Sequence, residues 1–180
     1  MSRLLDASAS QLVLVDYQQR LLPALDGAGA ALANAQRLAD AAALLGIPAW
    51  GVEENPARLG PMPEALRASC GEVMAKLTFD ACAEGLADRL ARNASRRDTV
   101  IAGCEAHVCL LQTALGLLDR QAPVWVVADA CASRTSANHQ AALRRLADAG
   151  AIVVTTEMVL FEWIRGAAHP RFAEVLRLIK

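Results

Sequence analysis

The stretch over residues 98–118, DTVIAGCEAHVCLLQTALGLL, constrains this chain more than any other. Thr99, Val100, Ile101 and Ala102 form a short apolar run rich in β-branched residues, the composition of a buried strand. Gly103 breaks the run. From Val108 to Leu118 the chain is apolar on nearly every face, as a helix enclosed between a sheet and a neighbour must be. Strand, tight turn and helix put the turn at the carboxyl edge of a sheet, where open α/β folds carry their chemistry. Cys109 falls in the first turn of that helix. A thiolate there faces free N–H groups and the positive end of the helix dipole, which makes Cys109 a candidate nucleophile on physical grounds.

The rest of the chain repeats the alternation. Residues 12–15 are a continuous apolar run ending at Asp16, which predicts a buried parallel strand tipped by a carboxylate. Leu32, Ala35, Leu38, Ala42 and Leu45 recur at three- and four-residue steps, so 28–45 reads as a helix closed by Gly46. Further strands are expected over 47–52, 124–128 and 151–154, and 72–76 reads as a short strand or extended segment. Further helices are expected over 63–69, 83–93, 137–149, 158–165 and 171–179. The segment EENPARLGPMP at 53–63 reads as a long loop on the rim of a site. Apolar strands alternating with helices make one α/β domain over residues 1–180: a Rossmann-like three-layer αβα arrangement around a mostly parallel sheet of about six strands. Neither GxGxxG nor GxxxxGK follows the first strand, which argues against a nucleotide cofactor.

Composition narrows the function classes. The 180 residues are 54% apolar and 21% charged, enough to enclose a core and too apolar for a disordered chain. Net charge is −1 and the basic residues form only short pairs such as Arg96-Arg97 and Arg144-Arg145, so no nucleic-acid surface is expected. No apolar run approaches the ~20 residues of a membrane-spanning helix, and the amino terminus lacks a signal-peptide pattern. The five cysteines, at 70, 82, 104, 109 and 131, are odd in number and include no CxxC pair. That argues against a disulfide framework or a thiolate zinc site and points to a reducing cytoplasm.

With the sheet drawn this way, Asp16 follows the first strand, Lys76 ends the third and Cys109 follows the fourth. A carboxylate, an ammonium and a thiol converging on one edge form a hydrolytic constellation. The carboxylate takes the thiol proton and later returns it to a leaving amine. The lysine charge lowers the thiol pKa and holds the carboxylate in place. Spacing alone does not establish that the three meet.

The sequence resembles the isochorismatase-like, or cysteine hydrolase, superfamily over nearly its whole length. The matching pieces are LVLVDYQ at 12–18, AKLTFDAC at 75–82, IAGCEAHVCLLQTALGLL at 101–118 and VVADACASR at 126–134. Within it, VEENPARLG at 52–60, EAHVC at 105–109 and TTEMVLFEW at 155–163 are similar to the small isochorismatase-domain-containing hydrolases. The resemblance implies that Asp16, Lys76 and Cys109 are a catalytic triad acting through a thioester-type intermediate. It also implies a non-proline cis peptide at Cys104–Glu105, with the N–H groups of Glu105 and Cys109 as the oxyanion hole. Nicotinamidases of this superfamily carry histidines after the first two strands, where this chain reads YQQ (17–19) and EEN (53–55). No metal is therefore expected, and no cofactor.

Retention of the cysteine favours cleavage of a C–N, amide-like bond in a small molecule. Vinyl-ether hydrolysis of the isochorismate type and a non-catalytic metabolite-binding or scaffold protein of the same fold stay open. Tyr17, Trp50 and Phe79 read equally as apolar walls of the substrate pocket or as core packing, and Glu54 and Asn55 as candidate polar groups on its rim. Cys70, Cys82, Cys104 and Cys131 read as inert packing. His107 lies two residues from Cys109, faces elsewhere on a helix and is expected to bond to backbone. The Glu105 carboxylate is expected to be structural or at a subunit contact, and Asp129, Ser133 and Arg134 to brace the loop after the fifth strand. A small-molecule substrate and a homo-oligomer seamed by the apolar carboxyl-terminal helices are the expected partners, with no membrane and no nucleic acid.

Overall fold

Strand β1 (Ser10–Val15) is enclosed along its whole length, which is why residues 12–15 are apolar at odd and even positions alike. It is followed by α1 (Ala28–Leu45), β2 (Ala49–Glu54), the one-turn α2 (Pro56–Leu59), α3 (Glu64–Ala68), β3 (Glu72–Lys76) and α4 (Leu86–Ala91). The second half runs through β4 (Asp98–Gly103), α5 (Leu111–Leu118), β5 (Val124–Val127) and α6 (Ser136–Asp148). β6 (Ile152–Val154), α7 (Thr156–Ile164) and α8 (Phe172–Ile179) close it. The computed structural model describes residues 4–180. None of its helices is long and apolar enough to cross a membrane.

All six strands join one parallel sheet in the order β3-β2-β1-β4-β5-β6. Helix α1 packs with α7 and α8, and α5 packs with α6, so helices cover both faces. The chain winds outward from β1 to β3, returns to the middle with β4, and winds outward the other way. β1 and β4 are thus the pair at which the winding reverses, and the carboxyl end of such a pair is a natural crevice. Exposure follows position. β1 and β5 are buried throughout, whereas Ile152 and Val153 on the edge strand β6 are open to solvent.

The central crevice depends on a glycine. Val15 is in register with Gly103. A Cβ on Gly103 would sit 2.6 Å from the Val15 Cβ and closer still to the Val15 carbonyl oxygen. Only a residue without a side chain lets the tips of β1 and β4 approach this closely.

One expected loop is more regular than its sequence suggests. β2 runs on to Glu54, and Asn55, in the left-handed region at φ 39°, turns the chain directly into α2. The Asn55 N–H donates to the Lys76 carbonyl at 2.8 Å, so sheet pairing persists past the strand end. Pro56 and Gly60 suggested a structureless rim, but they stand at the start and the end of a single helical turn. Glu54 is consequently a strand residue, 8% exposed, at the tip of β2 and not in a loop.

Candidate active site

Three strand tips deliver three charged side chains to one point. Asp16 follows β1, and its N–H donates to the Val52 carbonyl at 2.9 Å, one residue beyond the strand. It then turns the chain at φ 54°, a left-handed conformation that aspartate tolerates better than most residues. The Gln18 N–H closes that turn onto the Asp16 carbonyl at 2.8 Å. Lys76 ends β3 and is 1% exposed. Its Nζ donates to Asp16 Oδ2 at 2.9 Å and to Glu54 Oε2 at 2.7 Å. Because β2 lies between β3 and β1, Glu54 comes in between the other two tips. Gln18 fixes that position: its Nε2 donates to the Glu54 carbonyl at 2.9 Å and its Oε1 accepts from the Glu54 N–H at 2.8 Å.

The sulfur arrives from β4. Past Gly103 the chain crosses the Cys104–Glu105 peptide, which is cis, and enters a π-helical turn over Ala106–Leu110. The Val108 and Leu110 N–H groups donate to the Glu105 carbonyl at 3.0 and 3.3 Å, passing over the Cys109 N–H between them. Single π turns of this kind recur at functional sites. Regular α-helix begins only at Leu111, later than the apolar run at 108 suggests. Cys109 is buried, and its sulfur, a carboxylate oxygen of Asp16 and one of Glu54 all lie within 4.8 Å of one another.

Burial sets the protonation states, and the charges then adjust them. Burial first, then the neighbouring Asp16, push the Cys109 thiol well above the ordinary thiol range, and Lys76 only partly opposes them. Sequence reasoning expected Lys76 to lower the thiol pKa. The difference is Glu54: one ammonium divided between two carboxylates leaves a net negative neighbourhood, which disfavours a thiolate. Burial raises Asp16 to about 6 against the pull of Lys76. Burial also works against charge on Lys76, yet the Asp16 charge and the hydrogen bonds to both carboxylates hold its ammonium above its ordinary value. Among the described residues Asp16 Oδ1 accepts no hydrogen bond. A buried acceptor thus stands beside a neutral thiol, whose proton favours the ionised carboxylate.

Residues 10–158 match the family model described as the isochorismatase domain. This chain belongs to the isochorismatase domain family. Isochorismatase domain-containing protein 1 of Danio rerio is 36% identical over 177 residues, covering 98% of this chain. The chain spans only 62% of that relative's length. Among solved structures, the MAR1 ribonuclease of Caenorhabditis elegans superposes with a TM-score of 0.90 at 31% identity, over 97% of this chain and 91% of that one. The YcaC gene product of Escherichia coli, an octameric hydrolase of unknown specificity, also superposes with a TM-score of 0.90, over 99% of this chain and 90% of its own. At 24% identity that likeness shows the fold alone.

Placed on this isochorismatase domain, the other expected residues divide. Phe79 lies just past Lys76 and is half exposed, so it remains available as a pocket wall. Tyr17 does not line an open pocket: it is fully buried, with its hydroxyl donating to the Ala130 carbonyl. Of the two readings, wall or core, the core one holds, because the turn at Asp16 sends the side chain inward. Trp50 pairs with Val13 and Glu72 in mid-sheet, four residues before Glu54. That is roughly 13 Å down the strand from the site. Asn55 contributes backbone bonds to the turn into α2.

Around the π turn, Glu105 forms a two-pronged ion pair with Arg134, at 2.7 and 3.2 Å. The His107 ring meets the Ser133 hydroxyl at 3.1 Å and the Asn138 side chain at 3.4 Å, in place of the expected backbone bond. Asp129 Oδ1 accepts from both the N–H and the hydroxyl of Thr156, at 2.7 and 2.9 Å, tying the end of β5 to the start of α7. Gln18 and the Glu105–Arg134 pair carried no sequence signal beyond their places in LVLVDYQ, EAHVC and VVADACASR.

Proposed function

We propose that this chain is a hydrolase that cleaves an amide-like C–N bond of a small molecule. Cys109 is the nucleophile, Asp16 the general base and acid, and Lys76 their electrostatic partner. The observation that carries this reading is the unpartnered Asp16 Oδ1, on a buried carboxylate anchored to Lys76 through Oδ2 beside the Cys109 thiol. In a non-catalytic pocket such an orphaned acceptor would cost about 1–3 kcal/mol and return nothing.

The cycle follows from these positions. The thiol proton passes to Asp16 as sulfur bonds to the carbonyl carbon. Negative charge moves to the carbonyl oxygen, which the N–H groups of Glu105 and Cys109 receive. The π-turn bonding that passes over the Cys109 N–H supports that role. Collapse breaks the C–N bond, the proton on Asp16 moves to the departing amine, and a thioester remains. Water attacks the thioester carbon and gives a proton to Asp16. Loss of the sulfur releases the acid, and the proton returns to Cys109. Lys76 stays ionised throughout.

No metal or cofactor enters this cycle. Asp16, Glu54 and Cys109 are spaced closely enough to hold a metal ion. A metal there would have to displace the Lys76 ammonium from both carboxylates, so the donor set fits the lysine. RNA, the substrate class in the name of the C. elegans relative, has less support here, because the chain has net charge −1 and no basic cluster. Vinyl-ether cleavage leaves the cysteine without a task.

The test is a panel of small amides, ureas and vinyl ethers assayed against wild type and Cys109→Ala. Turnover of an amide or urea, falling by about 10³-fold or more in the variant, is expected. Turnover that survives in Cys109→Ala contradicts the nucleophile assignment.

A further inference from the structure

Glu54 takes no part in the cycle above, yet among the three charged side chains it alone is reached by solvent. Its side chain is 11% exposed, against 0% for Asp16 and for Lys76. Glu54 Oε2 accepts from Lys76, and its other oxygen accepts no hydrogen bond among the described residues. An entering molecule therefore meets a carboxylate. The ammonium that could answer an anion is enclosed and already bonded to two carboxylates. Asp16, Lys76 and Glu54 are the charges acting most strongly on the thiol, with no arginine or histidine among them.

Distance fixes where Glu54 would read a substrate. A carbonyl carbon poised for attack lies about 3–3.5 Å from the sulfur. A Glu54 oxygen lies within 4.8 Å of that sulfur. A nitrogen on the carbonyl carbon, or one atom beyond it, thus comes within hydrogen-bond reach of Glu54. We propose that Glu54 selects the substrate. The site takes neutral or cationic small molecules with an N–H donor at that position, as in primary carboxamides, ureas and α-amino amides. It rejects molecules with a carboxylate or phosphate there. This inference rests on the assignment of Cys109 as the attacking group.

The charge selectivity can be measured without any turnover. In a Cys70→Ser background, which removes the one half-buried thiol among the five cysteines, the rates of Cys109 alkylation by iodoacetamide and by iodoacetate are compared. The ratio of the two rates cancels any change in thiol reactivity. Relative to a free thiol, wild type is expected to favour the neutral reagent by about tenfold. Glu54→Gln should lose most of that preference, and Glu54→Asp, which keeps the charge, should retain it. A wild-type ratio equal to that of a free thiol, or one unchanged in Glu54→Gln, overturns the proposal. For substrates, kcat/KM on glycinamide and propionamide should exceed that on malonamate in wild type, with the gap narrowing in Glu54→Gln. Selective alkylation without amide turnover would instead strike the C–N reading and leave the charge filter standing. Turnover of all three amides alike would do the reverse.

Discussion

Lys76 shows how one buried side chain can depend wholly on its partners. Taking an ammonium and two carboxylates out of water costs several kcal/mol for each ion, which only close bonds at 2.7 and 2.9 Å offset. Lys76→Met removes the cation and strands both carboxylates. It should destabilise the protein by about 3–5 kcal/mol in urea unfolding and abolish turnover. A variant of wild-type stability would mean that the cluster is not ionised as described. Asp16 was legible in the sequence because it ends a recognisable apolar strand, and Lys76 chiefly because AKLTFDAC matches the family pattern. The bond from Lys76 to Glu54 was not legible, because it depends on strand order, and Pro56 made the end of that strand resemble a loop. Tyr17 and Trp50 could not be assigned to pocket or core for a related reason. An aromatic residue near a strand gives no sign of which way a left-handed turn will send it, or of how far down the strand it sits.

At the scale of elements, two joints hold the crevice in shape. The first is the approach of β1 to β4 at Gly103. In Gly103→Ala the new methyl meets Val15, so the tips carrying Asp16 and the turn to Cys109 must part. A loss of about 1–3 kcal/mol is expected, with a larger proportional loss of Cys109 alkylation rate than of stability. Normal alkylation in a folded variant would contradict the role given to this joint. The second is the Asp129 cap on α7. Asp129→Ala leaves the Thr156 N–H without that acceptor and should cost about 0.5–2 kcal/mol, read as a lowered Tm. The apolar run at 108–118 predicted a helix correctly in type. Its first turn is π-helical because Leu110 bonds five residues back to Glu105, a register that hydrophobic periodicity does not encode.

At the scale of the whole molecule, the fold was the most legible layer, since alternation of apolar strands and helices admits few arrangements and the isochorismatase domain is one of them. What surrounds the fold was less so. A cavity of about 630 Å³ opens at the amino end of the strands, beside Gln11, Leu90, Thr99 and Leu117, at the opposite end of the sheet from the charged cluster. Leu4, Met158 and Phe161 line a separate groove, and Ile152 and Val153 are exposed on the edge strand. Exposed apolar surface of this kind is the sort that mates with another chain. The chain is expected to elute as a homo-oligomer in light-scattering chromatography, with Phe161→Glu shifting it to a smaller species. A wild-type monomer would contradict this.

The central claim is that Asp16 and Cys109 share one proton in a buried pair, and the pH dependence of Cys109 alkylation by iodoacetamide reads it directly. Asp16 accepts the proton only when ionised, and burial has raised it to about 6. The rate should therefore fall as pH drops through about 6 and level off above it, and Asp16→Asn should remove that inflection. A single inflection near the ordinary thiol value of about 8.5, unchanged in Asp16→Asn, would contradict the account.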